Sequence, residues 1–397
     1  MANILFLAHR IPYPPTKGDK IRSWNFLSRL AKHHTVHAGF FVDDKKDLDH
    51  LPVLDQVLAS YCAVPVSSFE QKLLSLRAFF TGVSLTECSY PRKKIAKYCN
   101  RLISNEKIDV IFVFSAAPMA LIDGDCSLNV VADLVDVDSE KWRDYSQRAA
   151  WPLSGVFARE AIKLAKFEAK VVDRSARTLL VSEEEAGILR ECNPGAAEKI
   201  VAVKNGVDTA FFNPRNYEAE TVENSLLFTG ALDYQPNIEA VSWFCEAIWP
   251  LVLDKNSEAL FYIAGSSPTA EILDKAYLPG VEVLRDVPDM AEVIAKAQIV
   301  VAPLLTARGI QNKVLEAMAM ATPTVSTSVA NAGINGVSGE HLLVADTPLK
   351  FAEAVAGLLE DTNNGASIGS AARTFVKKNF SWESSYEELD NIIAGLS

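Results

Sequence analysis

Residues 307–325 read ARGIQNKVLEAMAMATPTV and set a lysine and a glutamate, Lys313 and Glu316, one turn apart. Val314, Leu315, Ala317 and Met318 fall at helical spacing and mark a packing face, and Pro323 cannot continue the helix. The first turn of a helix leaves backbone N–H groups unbonded and carries a partial positive charge, so it suits an anion such as a diphosphate. Gly309, just ahead, has no Cβ and lets a ligand approach the backbone. A lysine in that turn opposes the helix dipole unless an anion accompanies it. On these residues alone a second reading stays open: a well-made helix with a Lys–Glu pair at i,i+3, worth about 0.2–0.5 kcal/mol.

Such a helix has to be delivered by a strand. Short apolar runs recur along the chain: NILFLAH near the start, VHAGFFV (36–42), DVIFVFS (109–115), LNVVADLVDVD (128–138), TLLVS (178–182) and IVAVKNG (200–206). Helical patterns separate them, at 18–33 and most clearly in GVFAREAIKLAKFEAKVVDRSA (155–176). After the polar stretch 213–225 the rhythm restarts with LLFTGAL, a helical 237–253, ALFYIAG, VEVLRDV, a helical 289–297, IVVAPL, the opening stretch, PTVSTS and HLLVAD; a helical tail follows. Strand–helix alternation predicts parallel sheets covered on both faces. Two of them joined near 205–222 predict a two-domain α/β chain, with a ligand in a cleft between the carboxyl edges. A nicotinamide-dependent dehydrogenase shares that outline, but needs Gly-x-Gly-x-x-Gly after a strand. The first strand is followed by RIPYPPTKGDK, with one glycine, and no strand end offers the full pattern.

The 397 residues are 49% hydrophobic and 22% charged, the make-up of a globular chain of two or three domains. Six scattered cysteines include no C-x-x-C, which speaks against zinc and thioredoxin-like chemistry and for a reducing compartment. MANILFLAHRIPYPP lacks a basic leader and a long apolar run, and no run of 18 apolar residues follows, so a cytoplasmic protein is expected. Charge is uneven: residues 1–180 hold 25 Lys+Arg against 20 Asp+Glu (+5), and 181–397 hold 14 against 30 (−16). Halves so different suggest different partners.

Seven stretches in order resemble one family: PYPPTKGDKIRSWNFLSRLA (12–31), VDVDSEKW (135–142), VSEEEA (181–186), KNGVDTAFFNP (204–214), FTGALDYQPNIEAVSWF (228–244), DVPDM (286–290) and APLLTARGIQNKVLEAMAMATPTVST (302–327). They are similar to the family-4 glycosyltransferases of the GT-B architecture, and in particular to the sugar transferases associated with PEP-CTERM/exosortase exopolysaccharide systems. The resemblance implies two Rossmann-like domains facing across a cleft: an acceptor-binding domain over 1–210, a nucleotide-sugar-binding domain over 211–375, and a final helix, 376–397, packing back toward the first. It implies transfer of a sugar from a nucleotide-diphosphate donor, UDP- or GDP-linked, to a glycan or lipid-linked glycan, with retention of anomeric configuration and no cofactor or metal. A nucleotide-sugar epimerase and a non-catalytic nucleotide-sugar-binding protein are the rival readings.

On that pattern Lys313 meets donor phosphate and Glu316 the ribose hydroxyls and sugar. Gly230, Gly265 and the backbone at Val287 line the donor, Gly265 being as readily a plain turn glycine. The chain departs from Glu-x7-Glu, because Arg308 stands eight residues before Glu316. An arginine clamps phosphate or carboxylate and accepts no hydroxyl proton, so Arg308 is expected on the diphosphate or on an acidic donor sugar. Many relatives carry Arg and Lys shortly after the glycine matching Gly230; here ALDYQPN has neither, and Arg308 and Lys313 are expected to replace them. In the first half Gly18, Asp19, Lys20 and Arg22 form a candidate phosphate or acceptor loop, or else an N-cap with a solvated basic turn. Asp138, then Asp136, are candidate bases for the acceptor hydroxyl; the bland alternative is that Asp138 caps the next helix.

Residues 69–107 carry eight Lys/Arg and three Glu with Leu73, Leu74, Leu76, Phe79 and Phe80 interleaved. A basic amphipathic segment of this kind lies on anionic membranes, which would suit a polyprenyl-linked acceptor at the inner face of the membrane; ordinary packed helices are the alternative. Nucleic acid is not expected, since the patch is small and the donor half acidic.

Overall fold

The computed structural model describes the chain except residues 16–17, 123–125, 219, 308 and 397, and at 68, 79 and 80 it describes the backbone alone. The chain divides into two compact units, Met1–Lys204 with Ser385–Ser397, and Asn205–Ser384. The boundaries expected at 210 and 376 thus fall at 204 and 385. The reason is local: Val207 N–H donates to the Phe380 carbonyl at 2.9 Å, and a Cβ on Gly206 would meet the Trp382 backbone nitrogen at 2.6 Å. The Asn-Gly-Val stretch is thereby fixed to the second unit.

The first unit is a seven-stranded sheet of β1 (Asn3–Ala8), β2 (Thr35–Val42), β3 (Ser60–Pro65), β4 (Val110–Phe114), β5 (Asn129–Val135), β6 (Arg177–Leu180) and β7 (Ile200–Ala202), ordered β3-β2-β1-β4-β5-β6-β7. Its neighbouring strands are parallel. Ile4, Leu5, Phe6 and Leu7 are all fully buried, as expected for a strand covered on both faces. The apolar runs of the sequence do not disclose β3. This edge strand is only half-buried along most of its length, so SYCAVP needs no continuous apolar run.

The second unit holds β8 (Val222–Thr229), β9 (Leu260–Gly265), β10 (Val281–Arg285), β11 (Ala297–Ala302), β12 (Thr324–Ser326) and β13 (Leu343–Val344), ordered β10-β9-β8-β11-β12-β13, again parallel. The helix expected over 237–253 forms as Gln235–Trp243, a π turn at Phe244–Ile248, and Trp249–Lys255. Pro250 lacks the N–H that would continue the ladder, which accounts for the wider turn before it. The last helix, Trp382–Ala394, joins the first unit through Asp390, which accepts from Arg29 at 2.6 Å, and Tyr386, whose hydroxyl donates to Asn25 at 2.6 Å. In both sheets the strand order reverses beside the first strand, between β1 and β4 and between β8 and β11. Open α/β sheets bind ligands at the carboxyl ends of strands flanking such a reversal.

Candidate functional site

Beside the second reversal, the helix after β11 runs Asn312–Ala319, and its N-cap, Gln311, makes no side-chain capping bond. Lys313 lies in the first turn. Its ammonium donates to Asn237 Oδ1 at 2.5 Å and stands 4.3 Å from the centre of the Phe228 ring. Asn237 in turn donates to the Ala231 carbonyl at 2.8 Å, so the loop after β8 holds the lysine in place. A Cβ on Gly230, where φ is 153°, would come within 2.7 Å of Asn237 Nδ2 and 2.9 Å of Lys313 Nζ. A Cβ on Gly265 would fall 1.7 Å from the Gly230 carbonyl oxygen. Both glycines therefore have reasons inside the protein, the first making room for the lysine and the second for the neighbouring strand end. Gly309 has φ 61°, the left-handed region that favours glycine. Val287 is half-buried against an apolar cluster that includes Leu227, Ala291 and Ile294. Arg308 lies outside the described residues.

Burial draws the Lys313 ammonium down to about 7, opposed by the charge of Glu316. Burial lifts the Glu316 carboxyl to about 7, opposed by Lys313. The two act on each other through space, while the hydrogen bond of Lys313 goes to Asn237. This is not the surface i,i+3 pair left open by the sequence. It is a half-buried cation held by a neutral amide and an aromatic face. Asn312 Oδ1 in the same turn, Thr229 Oγ1 at the end of β8 and Ser326 Oγ at the end of β12 are buried without a hydrogen-bond partner. Unmet polar atoms at strand ends and a helix start are costly by themselves and are relieved by a polar ligand. Asn237 and Phe228 are site residues that the sequence does not single out, although both lie in FTGALDYQPN. Nothing local ties Asn237 to a lysine 76 positions away.

In the first unit the expected loop comes apart. Arg22 is fully buried, with Nε and Nη2 on the two oxygens of Asp133 at 2.7 and 3.1 Å and Nη1 on the Val203 carbonyl at 2.8 Å. Lys20 is buried on Asp47 at 2.5 Å. Each of these two charges is matched by a carboxylate inside the unit. Gly18 opens its helix and is exposed. Asp19 joins His9 at 3.3 Å and Arg10 at 2.7 Å, and Arg10 also holds Asp43 at 2.8 Å. Burial would raise Asp19, but the hydrogen bond and charge of His9 and the charge of Arg10 outweigh it, leaving it below the usual carboxylate range. No pattern in the sequence marks His9, Arg10 and Asp43 as a set around it.

Asp136 and Asp138 do converge, but on a cation of the chain: Lys141 Nζ lies 2.8 Å from one and 3.0 Å from the other. Burial would lower Lys141; Asp138 and Asp136 together hold it well above the ordinary lysine value. The expected free base is thus a lysine-bridged pair, with Asp138 still 43% exposed. Nor does Asp138 cap the helix Asp138–Arg148. Val137 N–H donates to Glu185 at 2.7 Å and Ser139 N–H to Glu168 at 3.0 Å, so two glutamates from other helices close that end. Burial lifts Glu168 to about 8, against its bonds from Ser139. Among the described residues no group of three or more His, Cys, Asp or Glu is arranged to hold a metal.

Residues 223–361, which contain the Lys313 site, match the family model described as glycosyl transferases group 1. With the two parallel sheets, this defines the class: a GT-B fold whose second unit carries the match to the group 1 glycosyl transferases. Over the full length, the structure is similar to Anabaena HepE in complex with UDP and glucose (TM-score 0.66, 14% identity, 100% of both chains). It is also similar to sucrose-phosphate synthase of Thermosynechococcus elongatus (TM-score 0.73, 14% identity, 100% of this chain and 99% of that one). At such identities the likeness is one of fold. A Klebsiella pneumoniae protein described as an uncharacterized 44.6 kDa protein in the cps region is 27% identical over 177 residues, 42% of this chain and 46% of that relative. The chain thus matches less than half the length of that curated relative.

Proposed function

We propose that the protein transfers a sugar from a nucleotide-diphosphate donor to a glycan or lipid-linked glycan in the synthesis of a surface polysaccharide. The observation that carries this is Lys313: a half-buried ammonium in the first turn of a helix, hydrogen-bonded to an amide rather than a carboxylate, with Asn312 Oδ1 of the same turn unmet. A diphosphate supplies the missing anion. As the glycosidic bond breaks, negative charge grows on the leaving diphosphate, and a preorganised lysine with helix N–H groups stabilises that charge more than the ground state. Glu316 receives ribose hydroxyls, and Arg308 is retained as a second phosphate clamp. The uridine series is the first to test, because the HepE structure of similar fold contains UDP.

The finer readings belong to the same proposal. The sugar is transferred with retention, the leaving phosphate taking the acceptor proton, which fits an Asp136–Asp138 pair already bridged by Lys141. The acceptor is polyprenyl-linked, the system is of the PEP-CTERM exopolysaccharide kind, and the protein works at the inner face of the membrane through residues 69–107. Support for a surface polysaccharide is the relative in the cps region. The test is a thermal-shift panel of UDP-, GDP-, ADP- and TDP-sugars on the wild type, Lys313→Met and Glu316→Ala, followed by product analysis with and without an acceptor. Stabilisation by one nucleotide series that both variants lose is expected. No shift with any series, or a new sugar nucleotide formed without acceptor, sinks the proposal.

A further inference from the structure

The basic stretch 69–107 contains two long helices that differ in what their apolar sides do. In Lys93–Asn105, Ile95, Tyr98, Cys99 and Leu102 are buried in the first unit, and Lys93, Lys94, Lys97 and Arg101 lie on the opposite side. That helix is amphipathic because it packs on a core, and it has no apolar face to offer. Ser68–Thr81 is turned differently. Its inner side holds Ala78, fully buried, whose carbonyl accepts from Arg159 at 2.6 Å, and Ser75, bonded to Ser89 at 2.9 Å. Its outer side shows Phe69, Leu73 and Leu76, which are 77%, 57% and 54% exposed. Spacings of four and three residues put these three on one stripe. Lys72 and Arg77, both exposed, flank it on either side.

We propose that this outer face docks on the anionic headgroup layer of a lipid bilayer, with Phe69, Leu73 and Leu76 below the headgroups and Lys72 and Arg77 among the phosphates. It deepens the membrane contact proposed above and narrows it from residues 69–107 to one helix. An in-plane helix needs an apolar stripe bordered by cations, and Lys72 and Arg77 border this one. A second copy of the chain fits the face less well. A two-fold pairing through it would bring Lys72 and Arg77 against their own copies, like charge on like. On the helix itself Lys72 and Arg77 are the cations that draw an anionic surface to this face.

The experiment is co-sedimentation of the full chain with vesicles of phosphatidylglycerol or phosphatidylcholine, at low and high salt, with its mass in solution read by light scattering. Expected is binding to phosphatidylglycerol at low salt, weakened by about tenfold or more in Phe69→Ser/Leu73→Ser/Leu76→Ser, in Lys72→Glu/Arg77→Glu, and in high salt. Thermal unfolding checks the triple variant; should it fail to fold, the charge-reversal pair carries the test. No binding to phosphatidylglycerol, equal binding to phosphatidylcholine, or unchanged binding by the folded variants overturns the proposal. A dimer that the same substitutions dissolve also overturns it. Donor-dependent thermal shifts, which these variants keep, separate failure here from failure of the glycosyltransferase reading.

Discussion

Proton uptake on donor binding is the sharpest consequence of the Lys313 site. In the free protein burial draws its ammonium down to about 7. At pH 8 such a group is about nine-tenths neutral. A diphosphate beside it returns it toward its ordinary value of about 10.4, so binding takes up about 0.9 proton at this residue. Glu316, lifted to about 7, is then about one-tenth protonated and gives back at most that tenth, leaving about 0.8 proton net. A nucleotide-diphosphate sugar is a diester and has no phosphate proton of its own near neutrality. The sign follows by linkage: the bound state holds the extra proton, so affinity falls as pH rises, by a factor approaching about tenfold per unit above pH 8. Calorimetric titration at pH 8 in Tris and in HEPES, which differ in ionisation enthalpy, reads the uptake directly. Lys313→Met should bind the donor at least about tenfold more weakly and abolish the uptake. Uptake below about 0.2 proton in the wild type, or the same uptake in Lys313→Met, would refute the reasoning.

Gly230→Ala should weaken binding of the same donor by about tenfold or more, since the added methyl would displace the Lys313 and Asn237 side-chain ends, and should also lower the unfolding midpoint, because a φ of 153° strains a residue with a Cβ; an unchanged Kd in the folded variant would remove Gly230 from the site. Arg22→Met should destabilise the first unit by about 3–5 kcal/mol in urea unfolding, because Asp133, already pushed up by burial, loses the cation that opposes the push and must take a proton or stay charged without a partner, and Arg22→Met/Asp133→Leu should recover most of it; a loss of donor affinity without loss of stability would restore the phosphate reading. Glu168, raised to about 8 in the folded chain, contributes stability that is fully present below its unfolded value and lost as pH rises through 8. Glu168→Gln should therefore flatten the fall in stability between about pH 5 and 8, where the wild type loses up to roughly 1.4 kcal/mol for each pH unit; identical pH profiles would contradict it.

The fold was legible where the chain has no choice. Runs such as NILFLA, VIFVF and LFYIAG are apolar throughout because both faces of a parallel strand are covered, and each forms a strand within a residue or so of where it is expected. Legibility failed at edges, where that demand lapses. β3 is half-exposed, and β8 begins at Val222, four residues before the apolar run, on a stretch whose first residues face solvent. The helix start carrying Lys313 could be read because spacing, Gly309 and Pro323 are local signals. The pair of glutamates closing the Asp138–Arg148 helix could not. They come from other helices, and no local pattern around Asp138 discloses them.

The basic residues of the two candidate loops show what a sequence leaves out about charge. Lys20 and Arg22 sit just after a strand, beside a glycine, in the same kind of setting as Lys313. What separates them is the compensating acid. For Lys20 it is Asp47, 27 positions on, and for Arg22 it is Asp133, 111 positions on. Both acids lie on other elements that only the fold brings near. A buried cation bonded to a carboxylate is an internal device, and a second anion gains little there. Lys313 has come out of water without that exchange: an amide oxygen and a ring face hold it in position but do not neutralise it. The acid acting on it, Glu316, is itself pushed toward the neutral form by burial. We propose that a cation meant for a ligand is distinguished by what the fold withholds from it, and Lys313 is one such cation among the described residues of the second unit, its ammonium bonded to an amide rather than a carboxylate.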